Sequence, residues 1–355
     1  MKKLITLLLC ARVLLAAGCG GSGDKKAEQP ADGQKQVLNL FSWADNFSPK
    51  VLEDFEKKYN CKINYDVFAN NEELLAKIQA GGSRYDVIQP SDYMVTTMIK
   101  LGMLEKLDPA ALPNTKFLIE GLQTPEYDPH HAYSIPYVWG LTGIAYNKRY
   151  VKEAPTSWRD LWKPEYKGHV MLLNDSREVF SLALKQLGYS NNSTDKGQVE
   201  QAFHLLKDGN QNVLAYDTEN NKQKMIAEEV WIAQMWSGDA SYVNTENPNV
   251  SFVVPKEGTV VWADNICIPK GAGHKQLALS FINFMYDPDV SARNFNYMRL
   301  PNANKAALPK MDPAIAGNPI LQYAETKTGL GEWLRDIGDG ITLYDQLWTE
   351  LKTGK

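Results

Sequence analysis

The chain has 355 residues and a formal net charge of −4 at neutral pH. That length is too great for one small core, so two domains or lobes are expected. The charge gives no electrostatic case for binding nucleic acid.

Residues 1–19 read as an export leader. Lys2 and Lys3 form the charged start, an apolar run follows to Leu15, and Ala16-Ala17-Gly18 place small residues before Cys19. The apolar run is too short for a transmembrane helix, which needs about 20 residues. This arrangement resembles the bacterial lipobox, although Arg12 interrupts the run and Ala16 stands where leucine is usual. The resemblance implies that Cys19 is lipidated and anchors the mature protein to a membrane. Residues 20–36 are rich in Gly, Lys, Gln and Asp without an apolar pattern, and read as a flexible tether. An exported body on a tether implies work outside the cytoplasm.

The body begins with a short strand over residues 37–41. Ser48-Pro49 then supplies a helix cap and a first-turn proline, with Val51, Leu52, Phe55 and Tyr59 at helical spacing. Ile63, Tyr65 and Val67 alternate as a strand. A helix over residues 72–80 ends at Gly81-Gly82. A third strand spans 85–89, and Ser91-Asp92 opens a helix that Gly102 stops. This alternation predicts a parallel sheet with right-handed crossovers, and ligands bind such sheets beyond the carboxyl ends of the strands. Trp43, and Ser91 with Tyr93, fall at two such ends.

Residues 134–137 and 141–146 read as strands leaving this lobe. A second α/β pattern follows, with strands at 170–173, 213–216, 231–236 and 250–254 and helices at 175–187, 199–206 and 222–229. The strand 260–269 returns to the first lobe, and helices follow at 277–285 and 338–351. The expected lobes are residues 37–141 with 263–308, and 142–262 with 309–355.

Within 260–269, Trp262 and Asp264 stand two residues apart, so on a strand they share a face. Trp43-Ala44-Asp45-Asn46 repeats the same four letters after the first strand. Met235-Trp236-Ser237-Gly238-Asp239 ends another strand with an indole and an acid. Each tryptophan taken alone reads equally as core. Together, three indole-plus-acid sites at expected cleft-facing strand ends point to a ligand. Asp175 and Glu178, at i and i+3 of a first helical turn, read either as binding acids or as an N-cap and capping-box acid.

Indole faces and carboxylates without an opposing basic motif suit a linear polycation with an apolar stem. Ammonium groups pair with the acids and methylenes pack between the rings. Asp175 with Glu178, and Asp264 with Asp239, can supply two ends for such a ligand. A sugar would want mixed Asn, Arg and Asp partners, and ferric ion clustered tyrosines. No histidine pair has metal-ligand spacing, and no Gly-x-Ser-x-Gly or P-loop is present. No metal or cofactor is expected. In the body, Cys61 and Cys267 form neither a disulfide framework nor a zinc pattern, and read as buried free thiols.

Longer runs carry a resemblance. They are Thr156-Ser157-Trp158-Arg159-Asp160-Leu161-Trp162-Lys163-Pro164-Glu165-Tyr166-Lys167-Gly168, Asp175-Ser176-Arg177-Glu178-Val179-Phe180, Pro90-Ser91-Asp92-Tyr93, Tyr133-Ser134-Ile135-Pro136-Tyr137 and Gly331-Glu332-Trp333. With these the chain resembles the bacterial periplasmic spermidine/putrescine-binding proteins of polyamine ABC importers. The resemblance implies a two-lobed, type II periplasmic-binding α/β fold. Each lobe would be a mainly parallel sheet flanked by helices, closing by a hinge on one polyamine in the interlobe cleft. It implies a monomer, not an enzyme, that hands its ligand to an ABC transporter permease. It places ligand contacts at Trp43, Ser91, Tyr93, Asp175, Glu178, Trp236, Trp262 and Asp264. Asp45 and Asp239 join them on the reading of the residues. Ala44, Asn46 and Leu334 depart from the spermidine type, and Met298 stands where a binding tyrosine is usual, with Tyr297 beside it as a substitute. Asp239 and Leu334 look like the putrescine-selective members, so putrescine is expected to bind at least as well as spermidine. Two other functions fit the same residues: a glycoside hydrolase using the cleft acids, and an adhesin or polyamine sensor that keeps the fold.

Overall fold

The computed structural model describes residues 35–81 and 84–354. The expected leader, with Cys19 as its lipid acceptor, and the tether as far as residue 34 lie outside the described residues.

The chain enters through β1 (Gln36–Ser42), α1 (Pro49–Tyr59), β2 (Cys61–Val67), α2 (Asn71–Gln79), β3 (Val87–Ile88) and α3 (Asp92–Lys100). β1 pairs in parallel with β2 and with β3, as the alternation predicts. Gln36, expected in the tether, already stands opposite Cys61 in the β1–β2 ladder. α1 starts at Pro49, which loses no hydrogen bond there, and stops at Asn60 in the left-handed region at φ 48°. It buries Val51 and Phe55, and Phe55 meets Phe281 edge-on at 5.1 Å. The third strand is shorter than expected. Its flanks still pair, since Asp86 N–H donates to the Asn39 carbonyl (2.8 Å) and Gln89 N–H to that of Phe41 (3.2 Å). Pro90, without an N–H, ends the ladder.

β4 (Ser134–Asn147) is one strand where the sequence suggested two. Its ladder with β9 runs through residues 138–140, which neither expected strand includes, and its register shifts between Pro136 and Val138. The chain continues through β5 (Val170–Leu172), α4 (Ser176–Gln186), α5 (Lys196–Gly209), β6 (Val213–Tyr216), α6 (Asn221–Ile226), β7 (Ile232–Trp236), α7 (Ser237–Glu246) and β8 (Val250–Val253). β9 (Thr259–Cys267), α8 (Lys275–Met285) and α9 (Pro288–Met298) follow, then short helices at Pro313–Ala316 and Pro319–Thr326, β10 (Gly331–Trp333) and a last helix, Ile341–Thr353. Nothing in the sequence marks α7, whose residues carry no apolar period. α9 was also missed, although Asp287-Pro288 is a regular start signal and the Asp287 side chain accepts from the N–H groups of Asp289 and Val290.

The strands run β2-β1-β3-β9-β4-β7-β5-β6, with β8 on β4 and β10 on β9. The result is a two-lobed α/β fold. Each lobe has a parallel part, β2-β1-β3 or β7-β5-β6, joined to antiparallel β4 and β9. β4 pairs with β9 from Ser134 to Leu141, then with β7 from Thr142 and with β8 from Ile144. One core gathers Leu38, Phe55, Phe281 and Phe295; another gathers Trp158, Val170, Phe180 and Leu206. No described helix is long and apolar enough to cross a membrane.

Cys61 and Cys267 are free and fully buried. β1 and β3 separate their strands. Burial raises both thiol pKa values, so each is a poor nucleophile at neutral pH. In the body from Lys35 onward, a thiol reagent is expected to find almost nothing while the protein is native. Two thiols should react once it is unfolded without reductant. A yield of none after unfolding would mean a disulfide.

Candidate functional site

The carboxyl ends of β1, β3, β5, β6 and β7 open on one cavity of about 220 Å³, and β9 crosses it. Trp43 and Asp45 enter from the turn after β1. Ser91 and Tyr93 come from the start of α3. Asp175 caps α4 and Glu178 lies in its first turn. Trp236 ends β7 and Asp239 follows in α7. Trp262 and Asp264 come from the middle of β9, not from a strand end as expected; their i, i+2 spacing still turns both toward the cavity. All ten residues singled out in the sequence line this one space.

The two readings of Asp175 and Glu178 divide between the residues. Asp175 does cap the helix, its Oδ1 accepting from Glu178 N–H at 3.1 Å. Glu178 does not complete a capping box. Its Oε1 turns away to accept from Thr142 Oγ1 at 2.9 Å and from the indole Nε1 of Trp236 at 3.0 Å. Its other oxygen is buried and has no hydrogen-bond partner in the protein. Glu178 is 4 % exposed. Burial, and then the nearby Asp175 charge, push its pKa up to about 8 against the pull of Trp236 and Thr142.

Asp264 is fixed by a relay. Asn71 Nδ2 donates to Ser91 Oγ (3.0 Å), and Ser91 Oγ donates to Asp264 Oδ1 (2.7 Å). Burial raises the Asp264 pKa to about 7, and the Ser91 bond opposes that shift. Tyr93 donates its hydroxyl to Glu72 at 3.0 Å, while the Arg177 guanidinium lies 5.6 Å over its ring. The Tyr93 ring therefore holds a protein cation on one face.

The indoles touch one another. Trp236 lies 6.3 Å from Trp43 and 6.1 Å from Trp262, centroid to centroid, with planes inclined by 72° and 63°. Two parallel faces flanking a methylene chain need about 7 Å, twice the ~3.5 Å contact distance. The three rings thus form a continuous edge-to-face surface instead of the slot the sequence suggested. Gly140 stands opposite Trp262 in the β4–β9 ladder. A Cβ there would lie 2.6 Å from the Trp262 ring, so a glycine is what lets the indole lie across β4.

The sequence reading missed several lining residues, of which Asp92 and Lys222 carry charge into the cavity. Asp92 is 1 % exposed; one oxygen accepts from Tyr93 N–H, the other has no partner, and burial raises its pKa well above the usual range. It was read only as a helix-opening acid. Lys222 also lines the cavity, its Nζ 3.4 Å from Asp239 Oδ1. The site therefore does contain a cation opposing its acids. Thr218 and Glu219 come with it from the segment after β6, and the carboxyl-end rule was a signal that could have found them. The acids also group differently from expectation. Glu178 and Asp264 both bear on Asp92, whereas Asp239 and Asp45 both bear on Lys222. Met298 and Leu334 line the cavity as apolar contacts; Tyr297 is 42 % exposed and outside the lining, where it bears on Asp45. Among the described residues no group of three or more His, Cys, Asp or Glu is disposed to hold a metal ion.

Comparison with known proteins follows the same lines. The sequence profile of bacterial extracellular solute-binding proteins matches residues 50–322. The spermidine/putrescine-binding periplasmic protein of Escherichia coli is 37 % identical over 97 % of this chain and 99 % of its own. Among solved structures, the spermidine/putrescine ABC transporter substrate-binding protein PotD of Streptococcus pneumoniae has a TM-score of 0.77 at 33 % identity, covering 90 % of this chain and 99 % of its own. The TpPotD lipoprotein of Treponema pallidum has a TM-score of 0.82 at 28 % identity, covering 89 % and 99 %. A fold of two lobes around an acidic, indole-lined cavity, matched over almost its whole length, places this chain in the family of bacterial extracellular solute-binding proteins.

Proposed function

We propose that the protein binds one polyamine, putrescine or spermidine, in this cavity and delivers it to an ABC transporter permease. It would do so as a monomer outside the cytoplasm, held to a membrane through lipid on Cys19. The observation that carries the reading is Glu178, a buried carboxylate with one oxygen clamped and the other unpartnered. An ammonium offers N–H donors and positive charge to that oxygen, and the indole surface takes the methylenes. Relatives named as spermidine/putrescine-binding support the ligand, and the Treponema relative named as a lipoprotein supports the anchor. Glu178, Asp264 and Asp175 would hold one ammonium end, and Asp45 would face the other, beside Asp239 and its lysine partner. Trp43, Trp236, Trp262, Tyr93 and Ser91 would form and fix the walls.

The lobes we assign are residues 37–141 with 263–308, and 142–262 with 309–355. Closure would bend β4 near Leu141 and Thr142, where it changes partners, and β9 near Trp262. The hydrolase reading is the weaker one. A retaining glycosidase sets two carboxyl groups about 5–5.5 Å apart across a bond. Here Asp175 serves its own helix and Glu178 Oε1 is already taken by two donors.

Calorimetric titration should show one site for putrescine or spermidine, unchanged by a chelator. No heat and no thermal shift with either amine would overturn the reading. A buried charge pair broken on one side costs about 3–5 kcal/mol, more than ~100-fold in Kd. Glu178→Gln and Asp264→Asn should each approach that loss while remaining folded. Wild-type affinity in the double variant would refute the site.

Binding should also depend on pH. In the ligand-free fold the Glu178 and Asp264 pKa values are raised, to about 8 and about 7, by burial. A raised acid pKa means that the fold takes up protons, so these groups favour the ligand-free fold at low pH. That contribution is lost as pH rises through 7 and 8. A bound ammonium reverses the balance by stabilising both carboxylates, so binding must expel their protons. Affinity for putrescine should rise at least tenfold from pH 6 to pH 8. At pH 7, buffers of different ionisation enthalpy should report proton release. Equal affinity at both pH values, or no proton release, would contradict this account.

A further inference from the structure

Lys222 is the cation in the cavity that the polyamine reading leaves without a role. Its Nζ stands 3.4 Å from Asp239 Oδ1, and the two side chains are 27 % and 14 % exposed. Asp239 above all, with Asp45 adding to it, keeps the lysine charged against the cost of its burial. Its Nζ also lies 5.8 Å over the Tyr242 ring, so an aromatic face backs the ammonium. Lys222 reaches the cavity from α6, while Asp239 reaches it from α7. The pair thus joins two elements and is no accident of neighbouring residues on one helix.

An alkylammonium on a four-carbon stem, seated against a carboxylate and an aromatic face, has the chemistry of one end of a polyamine. We propose that Lys222 is a tethered ammonium occupying a cation position at the Asp239 end of the cavity, and that it makes the protein select a diamine over a triamine. This rests on the polyamine reading above and adds the lysine as its specificity determinant.

The charge pattern sets the direction. At the Glu178 end, Asp92, Glu178 and Asp264 lie together and buried or partly buried, with two carboxylate oxygens unpartnered. At the other end, Asp239 is already neutralised by Lys222. Asp45 and Glu219, which also line the cavity there, are exposed, so water screens their charge. A diamine seats one ammonium among the buried acids and its second short of the lysine. A triamine carries a third ammonium further along the cavity, toward the lysine, where like charges at ~4 Å repel. Leu334, 6 % exposed in the cavity wall, offers that extra nitrogen no acceptor.

The test is a matched pair of titrations, putrescine and spermidine at one pH and salt, on wild type and three variants. Lys222→Met and Lys222→Gln remove the charge, and Lys222→Arg keeps it. The wild type should bind putrescine at least as tightly as spermidine. Both neutral variants should move the ratio of the two dissociation constants at least tenfold toward spermidine, and Lys222→Arg should stay within about threefold of wild type. Two neutral variants give two chances of a folded protein, and thermal melting checks each. The proposal fails if the neutral variants leave the ratio within twofold, or if arginine shifts it as far as methionine does. Those results leave polyamine binding standing. If the wild type binds neither amine, the polyamine reading falls and this inference falls with it.

Discussion

A carboxylate taken out of water needs either a proton or a cation. The centre of this molecule gathers Asp92, Asp175 and Glu178 around one guanidinium, that of Arg177, which bears on all three. Arg177 is itself spoken for. It is 2 % exposed, lies between the Tyr93 and Tyr344 rings, and donates to Asn192 Oδ1 at 3.1 Å. The fold therefore gathers more buried acid than it has cations to answer, and Asp264 beside Asp92 adds to the excess. Such an arrangement costs stability unless something completes it. In a binding protein that incompleteness serves the function: on the polyamine reading, the ligand's ammonium would supply what the chain withholds.

The same side chains that would meet the ligand also hold one another. The Trp236 indole N–H fixes Glu178, so its ring is a surface and its nitrogen a positioning group. Asp175 orders the first turn of α4 and thereby sets where Glu178 points. Ser91 starts α3 and spends its hydroxyl on Asp264. Each group is located by a short polar contact to a regular element, which keeps Glu178 in place although its outward oxygen is unpartnered. The glycine at 140 belongs to this set, since a side chain there would collide with the Trp262 ring.

Much of this was legible in the sequence because it follows from period and topology. Alternation placed β1 to β3, and the carboxyl-end rule then brought Trp43, Ser91, Asp175 and Trp236 to one side. The i, i+2 spacing of Trp262 and Asp264 was enough to share a face even though the strand end was wrongly expected. What the sequence could not show depended on tertiary contact. α7 has no apolar period and is held by its surroundings. β4 reads as two strands, 134–137 and 141–146, because only its ladder with β9 carries the strand through residues 138–140. Lys222 is one lysine among many until α6 and α7 bring it to Asp239. The contact between the indoles is a matter of ring orientation, to which spacing is blind.

The donors already in place also explain why an amine fits better than a metal ion. Thr142 and Trp236 occupy one oxygen of Glu178, and Ser91 occupies one oxygen of Asp264. What remains is a few acceptor positions set apart by an indole surface that cannot ligate. Calcium wants six to eight oxygens closing around it at about 2.3–2.6 Å. An ammonium wants three acceptors at hydrogen-bond distance and tolerates an aromatic face in place of one of them. A sodium or potassium ion could match the charge, but it would gain nothing from Trp43, Trp236 and Trp262. Only a cation carrying its own hydrocarbon uses both halves of the site. Burying that hydrocarbon, at about 0.8 kcal/mol per methylene, would let a ligand that also pairs with the acids outcompete the salt around it.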